Sequence, residues 1–276
     1  MNKILEVKNL NVTLKNRQMQ NKIVQEVSFS VHSGECLGIL GESGSGKSMT
    51  AKAILGLLDK QFTICGNAFF EGKDLIEQNK EQLRRLRGSE ISMVLQNPMT
   101  CFDPLYRIGN QIAETFAAHT KWSAQEIYQQ SLMLLKRMQI RDGEEVLQKY
   151  PHQLSGGMLQ RIMIGIAMAL KPKLLIADEP TTAIDAITQF EILEEFRRIK
   201  QQHKTAMIFI THDLSAISRI ADRILVMNGG KVVDKGDFKH ILYYAQDPYT
   251  RLLVEKRTAV MTSYREVIHR KKVQYG

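Results

Sequence analysis

The period of apolar positions changes several times along the chain, and each change marks an element. Residues 4–14 and 23–31 alternate apolar and polar side chains, with Leu5, Val7, Leu10 and Val12, then Val24, Val27, Phe29 and Val31. That period of two predicts two half-buried strands joined by a polar turn at Lys15–Asn21. Glu35–Leu40 is a short apolar run of strand type, and Met49–Leu55 starts a helix that runs to about Asp59. Cys65–Gly72 predicts a further strand and turn, Asn79–Arg87 a charged helix, and Glu90–Leu95 another strand. From there to about Tyr150 the spacing is helical, over Ile108–Ala118, Ser123–Met138 and Asp142–Gln148. Ser123 followed by Glu126 predicts a capping box at the start of the second of these. Beyond Leu154 helix and buried strand alternate: helix Leu159–Leu170, strand Lys173–Asp178, helix Thr188–Gln202, strand Thr205–Thr211, helix Leu214–Ile220. Arg223–Asn228 and Lys231–Asp234 follow, split by Gly229-Gly230, which suits a type I′ hairpin. Apolar strands alternating with helices imply an α/β fold with a mostly parallel sheet covered on both faces.

Within this pattern Gly41 to Ser48, GESGSGKS, matches G-x-x-x-x-G-K-[ST] and lies between a strand and a helix. The spacing makes chemical sense because a polyphosphate needs many donors at short range. Gly44 and Gly46 let the backbone curl so that the N–H groups of Glu42, Ser43, Gly44, Ser45, Gly46, Lys47, Ser48 and Met49 can surround it, and a helix N-terminus adds partial positive charge. Lys47 can reach the β- and γ-phosphates, and the Ser48 hydroxyl can ligate Mg²⁺. The plainer alternative is a glycine-rich turn that only joins two elements.

Leu174-Leu175-Ile176-Ala177 ends in Asp178-Glu179-Pro180, two carboxylates at the C-terminal end of a buried strand, where open α/β sheets bind ligands. Asp178 is suited to hold Mg²⁺ beside Ser48, and Glu179 to polarise an attacking water as general base. A capped turn after a strand is the competing explanation, and the phosphate loop upstream favours the chemical one. Leu154-Ser155-Gly156-Gly157-Met158 supplies a serine and two glycines before a helix, a second anion-binding terminus that alone is a weak signal.

Bulk properties narrow the class. The chain has 276 residues, 43% hydrophobic and 24% charged, values of an ordinary soluble protein. The net charge of +9 invites a nucleic-acid or membrane-surface role, but part of the excess gathers in Lys256, Arg257, Arg265, Arg270, Lys271 and Lys272, where a solvated tail explains it equally. Cys36, Cys65 and Cys101 form no C-x-x-C pair, which argues for a reducing compartment and against a disulfide framework or structural zinc. The N-terminus is interrupted by charge too early for a secretory signal, and the longest apolar run, Ile162–Leu170, is far short of a membrane span. A cytoplasmic protein is expected, with any membrane association going through a partner. The histidines show no H-x-x-x-H pair, and methionines such as Met163 and Met168 suit core filling better than metal binding.

The phosphate loop, the Leu154–Met158 stretch, the acidic strand end and His212 in Ile210-Thr211-His212-Asp213 together resemble the ATP-binding subunit of an ABC transporter, from about Leu5 to Leu253. The resemblance implies a P-loop NTPase fold of the ABC ATPase type over residues 1–253, with an N-terminal antiparallel β subdomain, a helical subdomain inserted at 97–151, and a basic tail at 254–276. It implies that Gln96 contacts Mg²⁺ and water and senses the membrane subunit, that Ser155, Gly156 and Gly157 bind the γ-phosphate of ATP held by a second subunit, that Asp185 couples the two subunits, and that His212 is a switch near the γ-phosphate. Glu179, His212, Gln96 and Lys47 would then carry catalysis. Two chains would sandwich two ATP molecules and drive two integral membrane permease subunits, served by an extracytoplasmic solute-binding protein, with the chain peripheral on the cytoplasmic face.

Departures are Met158 for glutamine, Ile184 for leucine, and Leu14 where an aromatic often stacks on adenine. Asp247-Pro248-Tyr249-Thr250-Arg251-Leu252-Leu253 resembles the HPYT-type motif of the peptide and nickel importer branch, with Asp247 in place of histidine, and Gln96–Leu105 resembles that branch too. Longer members add a cysteine-bearing extension; no cysteine follows Cys101, so no iron–sulfur cluster is expected. The short tail and Gly-Gly-Met-Leu-Gln favour nickel or metal-chelate importers over peptide ones. A soluble ABC ATPase acting on ribosomes or DNA is the alternative, but those members pair two ATPase domains in one chain or carry a long coiled coil, so no nucleic-acid partner is expected. A non-catalytic subunit is disfavoured by the presence of both Glu179 and His212.

Overall fold

The computed structural model describes residues 2–15, 20–182 and 184–256. The centre of the expected Lys15–Asn21 turn, and Arg257, Arg265, Arg270, Lys271 and Lys272 of the basic tail, lie outside them.

Two sheets carry the fold. The first is antiparallel and contains β1 (Lys3–Lys15), β2 (Gln20–His32), β4 (Phe62–Phe70) and β5 (Lys73–Asp74), in the order β2-β1-β4-β5. The second contains β3 (Cys36–Leu40), β6 (Ile91–Val94), β7 (Leu174–Asp178), β8 (Ala206–Thr211), β9 (Arg223–Asn228) and β10 (Lys231–Gly236), in the order β10-β9-β3-β8-β7-β6. It is parallel except for β10, which returns antiparallel to β9 across the glycine pair. The helices are α1 (Lys47–Ile54), α2 (Lys80–Leu86), α3 (Ile108–His119), α4 (Ala124–Arg137), α5 (Gly143–Gln148), α6 (Gly156–Ala169), α7 (Ala186–His203), α8 (Leu214–Ile220), α9 (Phe238–Tyr243) and a last helix, α10, over 248–256.

The near-continuous apolar runs of β7 and β8 are buried on both faces, and period-two geometry sends alternate residues into two cores. Leu174, Ile176, Ile208 and Ile210 join α1 and the antiparallel sheet. Leu175, Ala177, Met207 and Phe209 join the helices α3–α7. Each such leucine, isoleucine, methionine or phenylalanine, fully buried, contributes about 1.5–3 kcal/mol. One face is therefore covered by a second sheet as well as a helix. Among the described residues no helix is long and apolar enough to cross a membrane.

Local signals set several boundaries. Ser123 caps α4 in a capping box with Glu126, and Asn79 caps α2 in the same way with Gln82. Two helices differ from expectation. α1 ends at Ile54 instead of near Asp59, because Leu57 N–H donates to the Lys52 carbonyl at 2.8 Å and Gly56 turns left-handed at φ 60°, closing the helix. α6 begins at Gly156 instead of Leu159, because Ser155 Oγ accepts from Met158 N–H at 3.2 Å and caps it, making the two glycines its first turn. The helices α9 and α10 were not expected from periodicity at all.

Parallel register decides where chemistry can gather. Leu40 lies opposite Thr211, Asp178 opposite Ile210, and Val94 opposite Ala177. The loops that follow β3, β6, β7 and β8 therefore leave the sheet at one edge.

Candidate nucleotide site

The loop from Gly41 to Lys47 leaves β3 and feeds α1. Gly44 and Gly46 have φ of 82° and 100°, left-handed conformations that turn successive amides toward one side. Lys47, buried beneath the loop, donates to the Gly41 carbonyl at 2.9 Å, the Glu42 carbonyl at 2.8 Å and Ser45 Oγ at 3.3 Å. Burial lowers its pKa, and the nearby carboxylates of Glu179, Asp178 and Glu42 oppose the shift.

Two contacts across the sheet complete the arrangement. Ser48 Oγ donates to Asp178 Oδ1 at 2.8 Å, joining the loop to the acidic strand end across 130 residues. Burial raises the Asp178 pKa, and the Ser48 hydrogen bond only partly offsets that. His212 Nδ1 lies 2.7 Å from Glu179 Oε1, so the imidazole N–H donates to the carboxylate. Thr182 Oγ1 donates to Glu179 Oε2 at 3.1 Å, so both carboxylate oxygens are held. Glu179 itself sits at φ 49°, a left-handed backbone that a non-glycine residue adopts at a cost. Its conformation is braced by its amide donating to the Ile210 carbonyl at 2.9 Å.

These groups open onto one cavity of about 420 Å³, lined by the loop residues Glu42 to Met49 and by Ile23, Gln96, Glu179 and His212. Three of the expected residues from separate loops, Gln96, Glu179 and His212, thus meet the phosphate loop. Asp178 stands behind Ser48 and reaches the cavity through it. Ser155, Gly156 and Gly157 do not line this cavity: they form the exposed to half-buried start of α6. Asp185 does not line it either. Its carboxylate caps α7, accepting from Ile187 N–H at 3.1 Å and Thr188 N–H at 3.0 Å, and those bonds lower its pKa.

Sequence reading missed three contributors. Ile23 on β2 supplies apolar lining beside Met49, whereas Leu14 does not line the cavity. Gln160, wholly buried on α6, donates from Nε2 to the Pro180 carbonyl at 2.8 Å, joining the helix begun by Ser155 to the turn after Glu179. Its signal was a polar residue on an otherwise apolar helix face. Thr182 carried none, because its role depends on the turn.

Asp178 and Ser48 also bear on a cation. A buried carboxylate with its pKa raised by desolvation and a hydroxyl 2.8 Å away form an all-oxygen donor pair of the kind Mg²⁺ takes.

The family model described as ABC transporter matches residues 24–182. The metal-staphylopine import system ATP-binding protein CntD of Staphylococcus aureus is 41% identical over 265 residues, covering 96% of this chain and 97% of its own. The oligopeptide transport ATP-binding protein OppD of Escherichia coli is 40% identical, over 90% of this chain and 73% of its own. A bacterial ABC transporter cassette solved as a dimer superposes with a TM-score of 0.78 at 25% identity, over 85% of this chain and 98% of that one.

Proposed function

The chain belongs to the ABC transporter family as an ATP-hydrolysing importer subunit, and from that premise we propose that it powers uptake of a metal chelate through a site built from Lys47, Ser48, Gln96, Asp178, Glu179 and His212. The observation that carries this is the convergence of Ser48 on Asp178 and of His212 on Glu179 around one phosphate-loop cavity.

Lys47 and the loop amides beyond Glu42, whose own N–H is taken by the Tyr249 hydroxyl, bind and orient the triphosphate. Ser48 and Asp178 would hold Mg²⁺, with Gln96 at the cavity wall; bound there, the ion neutralises phosphate charge. Glu179, fixed by His212 and Thr182, accepts a proton from water at a carboxylate oxygen. His212, at the cavity wall, keeps the carboxylate aimed. Ile23 offers apolar contact to the base. The start of α6, lying off the cavity, would meet nucleotide held by a second cassette, with Asp185 coupling the two subunits, which fits a two-subunit sandwich. On this reading residues 1–253 form the cassette, with 97–151 as its helical subdomain.

A groove of about 620 Å³ lies beside the segment that follows Gln96, lined by Leu57, Met93, Phe102 and Tyr106 among others. Leu105, Tyr106 and Met99 nearby are 79%, 56% and 51% exposed, too apolar for a free surface. We assign this face to the permease, through which the chain would attach to the membrane; among the described residues no helix is long and apolar enough to cross it.

The metal-chelate assignment is supported by 41% identity to the staphylopine-system protein through 96% of this chain. Similar identity to peptide importers makes peptides the second reading. The test is uptake in cells that carry the chain with its own permeases, comparing chelated radioactive metal with labelled oligopeptide, for the native chain and for Glu179→Gln. Chelate uptake that Glu179→Gln abolishes supports the proposal; peptide uptake alone replaces the substrate; ATP hydrolysis at the native rate in Glu179→Gln overturns the base assignment.

A further inference from the structure

The segment Asp247–Leu253 has no part in the chemistry described above, although it runs beside the loop that does. Asp234 Oδ2, on β10, accepts from Gln246 N–H at 3.1 Å and Asp247 N–H at 3.2 Å. Asp247 Oδ1 accepts from Tyr249 N–H at 2.8 Å, so the entry to α10 is set by two carboxylates. The Tyr249 ring packs on a small core that includes Leu40, Val226, Ile241, Leu253 and Val254. Leu40 is the residue immediately before the phosphate loop. From there the Tyr249 hydroxyl oxygen accepts from the backbone N–H of Glu42 at 2.8 Å.

That amide shares a peptide plane with the Gly41 carbonyl, which accepts from Lys47 Nζ at 2.9 Å. In a trans peptide the N–H and C=O point in opposite directions, so a single plane is pinned at both ends. We infer that Tyr249 is a positioning residue for the nucleotide site: it fixes the Gly41–Glu42 peptide and through it the seat of the Lys47 ammonium. Burial pushes the phenol pKa up, so the hydroxyl stays neutral. The segment that resembles a family motif at the far end of the chain therefore supports the first turn of the phosphate loop from behind. This rests on the reading of that loop as an ATP site.

The test is Tyr249→Phe in the full chain, which keeps the ring in its core and removes only the hydroxyl. Leu253→Ala is the companion, loosening the same core without touching the loop. Kd for Mg·ATP is measured by calorimetry in the Glu179→Gln background, and KM and kcat in the native one. Tyr249→Phe should raise Kd and KM about threefold to tenfold, as for loss of one hydrogen bond, with kcat within about twofold. Leu253→Ala should lower the melting temperature and leave Kd unchanged. Native Kd in Tyr249→Phe, or an equal loss in Leu253→Ala, overturns the inference. Absence of ATP binding by the unsubstituted chain would instead sink the functional reading.

Discussion

Gly46→Ala puts the backbone argument for the phosphate loop at risk. Gly46 has φ 100° and ψ −2°, outside the regions that a residue with a Cβ adopts freely. An alanine Cβ there would lie 3.0 Å from the Ile23 carbonyl oxygen and 3.3 Å from Gly230 Cα, backbone atoms that cannot rotate aside. Such strain amounts to about 1–3 kcal/mol, and about 2 is a fair central value. The Gly46 carbonyl accepts from Thr50 N–H and Thr50 Oγ1, both at 2.9 Å, so the peptide beyond it is anchored to α1. Relief must come from turning the Gly46 amide away from the phosphates. If all the strain is relieved so, ATP affinity falls about thirtyfold. If none is, the melting temperature falls by about 4–8 °C. Real behaviour divides the same total between the two. Gly72→Ala is the control: φ is 83°, nothing lies within 4 Å of the added Cβ, and the turn is remote from the cavity. It should lower the melting temperature by about 2–4 °C per kcal/mol of strain and leave affinity alone. Calorimetric titration with Mg·ATP and thermal melts on all three proteins supply the numbers. Affinity within twofold of native and an unchanged melt in Gly46→Ala would refute the reasoning, as would equal affinity loss in Gly72→Ala.

Thr182→Val removes the donor to Glu179 Oε2 at nearly constant volume, and kcat should fall about fivefold with ATP affinity unchanged; a native kcat would show that His212 alone orients the base. Asp178→Asn should raise the Mg²⁺ concentration needed for half-maximal hydrolysis by about 10–100-fold, and an unaltered Mg²⁺ titration would remove Asp178 from the cation site. Glu35 predicts an acid effect on stability: burial raises its pKa, but hydrogen bonds from Arg223 and His32 more than reverse this and hold it below 4.5. The folded state then binds fewer protons than the unfolded one, so the stabilisation is complete above pH 4.5 and is lost on acidification through the folded pKa. Melts from pH 3 to 7 should show a shallower acid limb in Glu35→Gln; an identical limb would exclude this group.

What the sequence determined by itself is what short-range physics encodes. The phosphate loop is legible because left-handed turns demand glycine and phosphate demands Lys47 and Ser48 at set offsets. The strands β7 and β8 are legible because burial on both faces demands unbroken apolar runs, and α4 because Ser123 and Glu126 satisfy its first amides. The carboxylates of Asp178 and Glu179 could be named from their place at a buried strand's end. Only the tertiary structure decided which of these groups meet. Parallel register between β3, β8 and β7 sets Leu40, Thr211 and Asp178 at one edge, and that alone brings Ser48 to Asp178 and His212 to Glu179. The reach of Gln160 to Pro180 and the contact of Tyr249 with Glu42 depend likewise on packing. A hydrogen bond between residues 207 positions apart leaves no periodicity to read, because its geometry belongs to the folded core rather than to either segment.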